Sequence, residues 1–207
     1  MTLVLGAAAG GLLVGLALDV LSRRPPRGRA RALGPLCTAA LFGVVAAARH
    51  DDGAQMALGL ALVAFLVPLT RIDLELRLLP DRLTAPAAAV AITIGVALDP
   101  GGELERLLAG AGAFAFFLAA VLARPQGMGG GDVKLAGVLG LFLGREVAVA
   151  VFVALLAGLL AGLVVMARKG VAAGRRTALP FGPFLALGGL VALLAGEELL
   201  DAYLDAT

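Results

Sequence analysis

Apolar residues along the chain fall into eight runs, separated by charged residues or by glycine and proline. The runs cover approximately 2–21, 33–48, 55–70, 84–98, 106–122, 133–143, 147–167 and 181–200. A helix needs about 20 apolar residues, and rarely fewer than about 17, to cross a hydrocarbon core of ~30 Å. The first run and the last two are long enough, whereas 133–143 reaches only about half way at ~1.5 Å per residue. The pattern predicts an all-α, polytopic transmembrane helix bundle with about eight membrane segments.

The composition of the chain supports a location in the lipid bilayer rather than in water. The chain is 60% apolar and 15% charged, whereas a soluble domain is nearer half apolar and about one quarter charged. Helices in lipid associate through close backbone approach at small residues. Three glycine pairs have the four-residue spacing that favours such contacts: Gly11/Gly15, Gly140/Gly144 and Gly158/Gly162.

Charged residues in the loops predict the topology. Basic residues concentrate in cytoplasmic loops of membrane proteins. Of the 17 basic residues, 14 fall in alternate loops: Arg23, Arg24, Arg27, Arg29, Arg31, Arg71, Arg77, Arg82, Arg124, Lys134, Arg168, Lys169, Arg175 and Arg176. The other loops carry Arg49, Arg106 and Arg145 together with ten acidic residues: Asp51, Asp52, Asp99, Glu103, Glu105, Glu146, Glu197, Glu198, Asp201 and Asp205. The basic side is therefore predicted to be cytoplasmic, with both termini outside.

The organisation that these patterns predict is a single transmembrane domain over 1–207. The first arginines follow the first apolar run, the reverse of the order in a cleaved signal peptide, so this run is interpreted as a retained span. The net charge of +2 is explained by membrane topology, and no nucleic-acid partner is expected.

The catalytic residue types present exclude most hydrolase chemistries. Ser22 is the only serine and His50 the only histidine, and the topology places them on opposite faces. One histidine cannot supply a metalloprotease motif, and Cys37 has no basic partner nearby in the sequence. No phosphate-binding GxxxxGK[ST] loop occurs. Carboxylates are the catalytic side chains that remain as candidates.

The acidic residues divide by face. The ten on the predicted outer face are interpreted as solvated loop charges. Asp73, Glu75, Asp81 and Asp132 lie on the inner face at the ends of apolar segments. Ionisable groups at membrane depth are costly, so they are functional candidates by default.

Structural roles compete with a functional one at three positions. Asp132 follows Gly129–Gly131 at the start of a helix, where a carboxylate can also act as a simple N-cap. Capping is the preferred interpretation for Asp81, just before Thr84. For Lys134, a side chain that extends to the interface is slightly preferred over one that tunes the charge of a catalytic pair.

Three ordered motifs resemble the type IV prepilin peptidases, within the wider GxGD aspartyl proteases. Asp73 is followed by LPDRLT at 79–84, which is similar to the family's D-x5-(I/L)PDxLT. GGGDVKL at 129–135 matches GxGDxKL, and LPFGPFLA at 179–186 resembles (I/L)PFGP(F/Y)LA. GxGD alone is a weak signal, but the ordered triple is specific and covers most of the chain.

The resemblance implies a membrane-embedded aspartic endopeptidase with Asp73 and Asp132 as the catalytic pair. It implies cleavage of the basic leader peptide from type IV prepilin or pseudopilin substrates, at the cytoplasmic face of a bacterial inner membrane. The supporting or substrate-binding residues that it implies are Gly129, Gly130, Gly131, Lys134, Asp81, Pro180, Phe181, Gly182 and Pro183. The two carboxylates are expected to share a proton, so that one activates water while the other polarises the scissile carbonyl.

Many members of that family carry a cysteine-rich cytoplasmic loop associated with N-methylation. Here the corresponding loop at 22–34 is short, basic and without cysteine. Neither zinc, another cofactor nor methyltransferase activity is expected.

Two alternatives stay open on the sequence. A small ion-coupled transporter or channel could use the same aspartates, with a pair of broken helices as its hallmark. A protease relative that only binds prepilins is the other.

Overall fold

A computed structural model describes residues 2–21, 30–124, 128–170 and 179–206. The described residues form helices and connecting turns without strands, which confirms the all-α prediction for this part of the chain. The helices are α1 (Thr2–Leu21), α2 (Ala30–Ala48), α3 (Gly53–Leu76), α4 (Asp81–Leu98), α5 (Glu103–Ala123), α6 (Gly130–Leu143), α7 (Val147–Lys169) and α8 (Gly182–Asp205), with a 3-10 turn at Gly144–Glu146. The short basic loop predicted at 22–34 lies largely outside the described residues.

The central helices are α3, α6 and α8. Ten of the 14 residues of α6 are buried, so this short helix is surrounded by its neighbours. A Cβ added at Gly189 of α8 would lie 2.7 Å from Leu139 of α6 and 3.6 Å from Leu66 of α3. One at Gly59 would lie 3.0 Å from Leu193. These contacts show that α8 runs antiparallel to α3. A Cβ at Gly196 would lie 3.0 Å from Glu146, just beyond the end of α6, so α8 runs parallel to α6.

Small residues bring several helices together, as the sequence predicted. A Cβ at Gly11 would lie 2.7 Å from Phe42, and one at Gly15 would lie 2.6 Å from Pro35, so both glycines face α2. Gly140 contacts the backbone of Gly110 in α5. The third pair is only half confirmed, because an added Cβ meets Phe181 at Gly158 but nothing within 4 Å at Gly162.

The outward-facing helix surfaces are apolar. Exposed side chains include Leu108, Phe116, Leu122, Phe152 and Leu159, each more than half exposed, as lipid contact requires. Five helical stretches in the described residues are long and apolar enough to cross a membrane: α3, α4, α5, the stretch 130–169 and α8. The number of spans and the side on which the termini lie stay predictions.

The end of the bundle that holds Asp99 carries a polar network, which corrects the interpretation of all its acids as solvated loop charges. Glu103 and Arg106 are each only 8% exposed, and Arg106 contacts the Glu103 carboxylate at 3.1 Å and that of Asp99 at 2.8 Å. Arg49 donates from Nε to the carbonyl oxygen of Leu193 at 3.1 Å. The helices turn back here, and buried charges need partners when water is excluded.

Candidate active site

Three helix ends meet at the opposite end of the bundle. Asp73 lies in the last turn of α3, Asp132 in the first turn of α6 and Gly182 at the start of α8. Each belongs to a different one of the three sequence motifs. The fold thus brings the motifs to one place, although more than 100 residues separate the first from the last.

Asp73 is held by the beginning of α8. Its side chain is buried, and Oδ2 accepts a hydrogen bond from the backbone N–H of Gly182 at 3.0 Å. A helix N-terminus carries partial positive charge, which favours a carboxylate there. A Cβ at Gly182 would lie 2.6 Å from Oδ2, so the position accepts only glycine without displacing the aspartate.

Asp132 is anchored at the start of its own helix. It is 8% exposed, and its Oδ2 accepts a hydrogen bond from the backbone N–H of Gly129 at 3.2 Å. Gly129 is the N-cap residue and Asp132 the third residue of α6. Asp132 is therefore not the N-cap residue, and that interpretation is wrong. Its carboxylate nevertheless accepts a hydrogen bond from an amide at the helix start.

The two carboxylates lie at the same end of the bundle, because α8, whose first residue Gly182 bonds to Asp73, packs along α6, whose first turn holds Asp132. Neither Oδ1 atom accepts a hydrogen bond from the described residues. Within this part of the chain, backbone amides therefore hold one oxygen of each carboxylate and leave the other without a donor.

Asp81 and Lys134 connect the first motif to the second. Lys134 Nζ donates to Asp81 Oδ1 at 2.6 Å, with side-chain exposures of 48% and 68%. Asp81 is the first residue of α4, whose N-cap is Pro80 without a side-chain capping bond. The capping interpretation of Asp81 is therefore wrong. Lys134 has a specific partner, Asp81, whereas the preferred interpretation was that its side chain extends to the membrane interface.

The remaining motif residues differ in their surroundings. A Cβ at Gly131 would lie 2.8 Å from Leu79, whereas one at Gly130 would meet nothing within 4 Å. Phe181 is the N-cap residue of α8, and its ring centroid lies 5.9 Å from that of the buried Phe117. Pro183 follows in the first turn of α8, where a missing N–H costs no hydrogen bond. Pro180 immediately precedes this cap.

Sequence reasoning missed two residues beside the site. Phe117 packs against Phe181, but it is one of many apolar residues in α5 and carries no distinguishing signal. Arg77 ends α3 with φ 53°, and its N–H bonds to the Asp73 carbonyl oxygen at 2.8 Å. Arginine is not a residue that indicates a left-handed conformation. In the described ranges, no group of three or more His, Cys, Asp or Glu side chains could hold a metal ion.

Comparison with known proteins gives a consistent result. The model of the type IV leader peptidase family matches residues 60–166, which include both aspartates. Similar proteins carry the name prepilin leader peptidase/N-methyltransferase. The one from Xanthomonas campestris pv. campestris is 32% identical over 82% of this chain and 58% of its own length. The one from Bacillus subtilis is 32% identical over 82% and 67%, and the one from Neisseria gonorrhoeae 36% identical over 81% and 58%.

The chain spans less than two thirds of the length of most of these relatives. No solved structure gives a significant match to it.

Proposed function

The chain belongs to the type IV leader peptidase family, and on that premise we propose that it is a membrane-embedded aspartic endopeptidase. Asp73 and Asp132 are the proposed catalytic pair. Its proposed substrates are type IV prepilin or pseudopilin precursors, from which it removes the basic leader. One observation carries the proposal: two buried aspartates from separate motifs lie at one end of the bundle, each with one carboxylate oxygen held by a backbone amide at a helix start.

The mechanism that we propose needs no group beyond the chain and water. Two carboxylates that act on one water molecule do not both ionise readily, so the pair shares one proton. The ionised carboxylate takes a proton from water while the protonated one donates a hydrogen bond to the scissile carbonyl oxygen. Water oxygen adds to the carbonyl carbon, and the departing amine receives a proton as the carbon–nitrogen bond breaks.

Two backbone amides support this chemistry. The Gly182 N–H and the Gly129 N–H each occupy an Oδ2 atom, which leaves the Oδ1 atoms for water and substrate. Because the amides belong to helix starts, the carboxylates are held before substrate binds, and preorganisation of this kind lowers the barrier.

The proposed location is the bacterial cytoplasmic membrane, with the site facing the cytoplasm. Support comes from the excess of Arg and Lys at the end of the bundle that holds the site, including Arg71, Arg77, Arg82, Arg124 and Lys134. The relatives are named for two activities, and we propose leader cleavage alone for this chain. Nothing in the comparisons favours the transporter or channel alternative.

The test is processing of a co-expressed prepilin-type protein in bacterial membranes. Asp73→Asn and Asp132→Asn should each lower the cleavage rate by at least about 100-fold, as expected for loss of a general acid or base. The exposed Glu75 provides a matched control on the same helix end, and Glu75→Gln should cleave at the normal rate. Either aspartate variant cleaving at near the wild-type rate would refute the pair. The mass of the new amino terminus would show whether it is methylated.

A further inference from the structure

The segment between α3 and α4 packs against the first turn of α6. The chain leaves α3 at Arg77 in a left-handed conformation and passes through Leu79 before α4 begins. The Leu79 side chain lies so close to Gly131 that a Cβ there would approach Leu79 Cβ to 2.8 Å. Position 131 therefore has no room for a side chain unless Leu79 moves.

The ion pair lies beside that contact. Asp81 begins α4, and Lys134 is one helical turn beyond Gly131 on α6, so the 2.6 Å bond between them fastens the same two elements. A groove of about 470 Å³ between α4, α5 and α6 opens next to the pair. Replacement side chains of other lengths consequently have room at both positions.

The first turn of α6 needs such support. Gly129, Gly130 and Gly131 lead into Asp132, and glycine restricts the backbone less than any other residue. Within the described residues, the Asp132 side chain makes one hydrogen bond, to Gly129 of the same glycine-rich stretch.

We propose that Leu79, Asp81 and Lys134 are positioning residues, which hold Asp132 at the distance from Asp73 that catalysis requires. We call these three residues the clamp. The inference rests on the proposed peptidase function and adds to it. Because only five residues separate Asp73 from Leu79 along the chain, the clamp couples the end of α3 directly to the start of α6.

The clamp predicts a kinetic effect without a matching loss of stability. Ion pairs as exposed as this one contribute little to folding. A displaced catalytic carboxylate, in contrast, can cost about 100-fold in rate for ~1 Å. A structural role alone would change the melting temperature before it changed kcat.

The experiment compares Asp81→Asn, Lys134→Gln and the charge swap Asp81→Lys/Lys134→Asp in the full chain, with a prepilin-type substrate. Each single variant should lower kcat about tenfold with KM changed less than about twofold, because geometry and not binding is affected. The swap should recover kcat to within about threefold of wild type. Lys169→Gln and Glu75→Gln, which remove exposed charges at the same end, should have no effect.

Wild-type kcat in both single variants would overturn the proposal. A swap that is folded but as slow as the singles would also overturn it. If the swap does not fold, Gly131→Ala replaces it as the test, with Gly112→Ala as the control, since a Cβ at Gly112 meets nothing within 4 Å. The clamp requires Gly131→Ala to lower kcat and fails if it does not.

Failure of the clamp is distinguishable from failure of the peptidase function. Asp73→Asn is measured in the same experiment. Cleavage by wild type, loss in Asp73→Asn and normal kcat in the clamp variants would remove only the clamp. No cleavage by wild type would remove both.

Discussion

Gly182→Ala is the substitution that tests the positioning of Asp73 most sharply. The added Cβ would lie 2.6 Å from Asp73 Oδ2 and 3.0 Å from Cγ, whereas ordinary contact begins near 3.4 Å. The carboxylate must therefore retreat by about 0.8 Å. Since the hydrogen bond from Gly182 N–H is already 3.0 Å long, that retreat stretches it to about 3.8 Å and effectively breaks it.

The expected consequence is larger for activity than for stability. A hydrogen bond to a charged group contributes about 1.5–3 kcal/mol, and the helix preference for alanine over glycine offsets up to about 1 kcal/mol of its loss. Displacement of a catalytic group by ~1 Å costs about 100-fold in rate. We expect kcat for prepilin cleavage to fall about 100-fold, with the protein still inserted and folded.

The assay is the initial rate of leader removal in detergent or membranes, with a melting curve for each variant. Gly162→Ala is the control for the helix preference, because nothing lies within 4 Å of its added Cβ. Gly11→Ala is the control for destabilisation, because it forces α1 away from Phe42 far from the site. If Gly182→Ala keeps kcat within about threefold of wild type, Asp73 does not depend on this contact and the reasoning is wrong.

Further predictions concern the other end of the bundle and the topology. Arg106→Ala should lower the free energy of unfolding by about 3 kcal/mol in thermal or denaturant measurements, because Glu103 stays buried without its partner. Arg106 lowers the pKa of Asp99 below its ordinary value of 3.8. Ionised Asp99 therefore stabilises the fold above pH 3.8, and this contribution disappears as the pH falls through the lower pKa of the folded state. Asp99→Asn should be less stable than wild type at about pH 7 and equally stable in strong acid. In a chain carrying Cys37→Ala, Arg124→Cys should react with a membrane-impermeant maleimide only after the cells are opened; labelling of intact cells would reverse the predicted topology.

The sequence predicted the helices well because charged loops and apolar runs alternate in it. Its main error was at the helix ends that form the candidate site. The run at 55–70 was ended before Asp73, yet α3 continues to Leu76. Leu66, Leu69 and Asp73 share one buried helix face at spacings of three and four, and so the polar residue remains in the helical pattern.

Contacts between distant segments were beyond sequence reasoning. Nothing in the local pattern pairs Lys134 with Asp81, 53 residues away, and local propensity at Asp81 favours a cap that the structure does not form. Glu103 likewise reads as a loop charge, because its burial depends on Arg106 and on the packing of Gly95 against its carboxylate. The motifs indicated which residues meet, but the contacts that hold them depend on tertiary packing.

The most direct measurement is the cleavage rate of Asp73→Asn, Asp132→Asn and the double variant with one prepilin-type substrate. If the two carboxylates act as one hydrolytic unit, each single variant removes nearly all activity, and the double variant is no slower than the slower single. Two single variants with substantial residual rates, whose losses multiply in the double variant, would show that the aspartates act independently and would contradict the shared site.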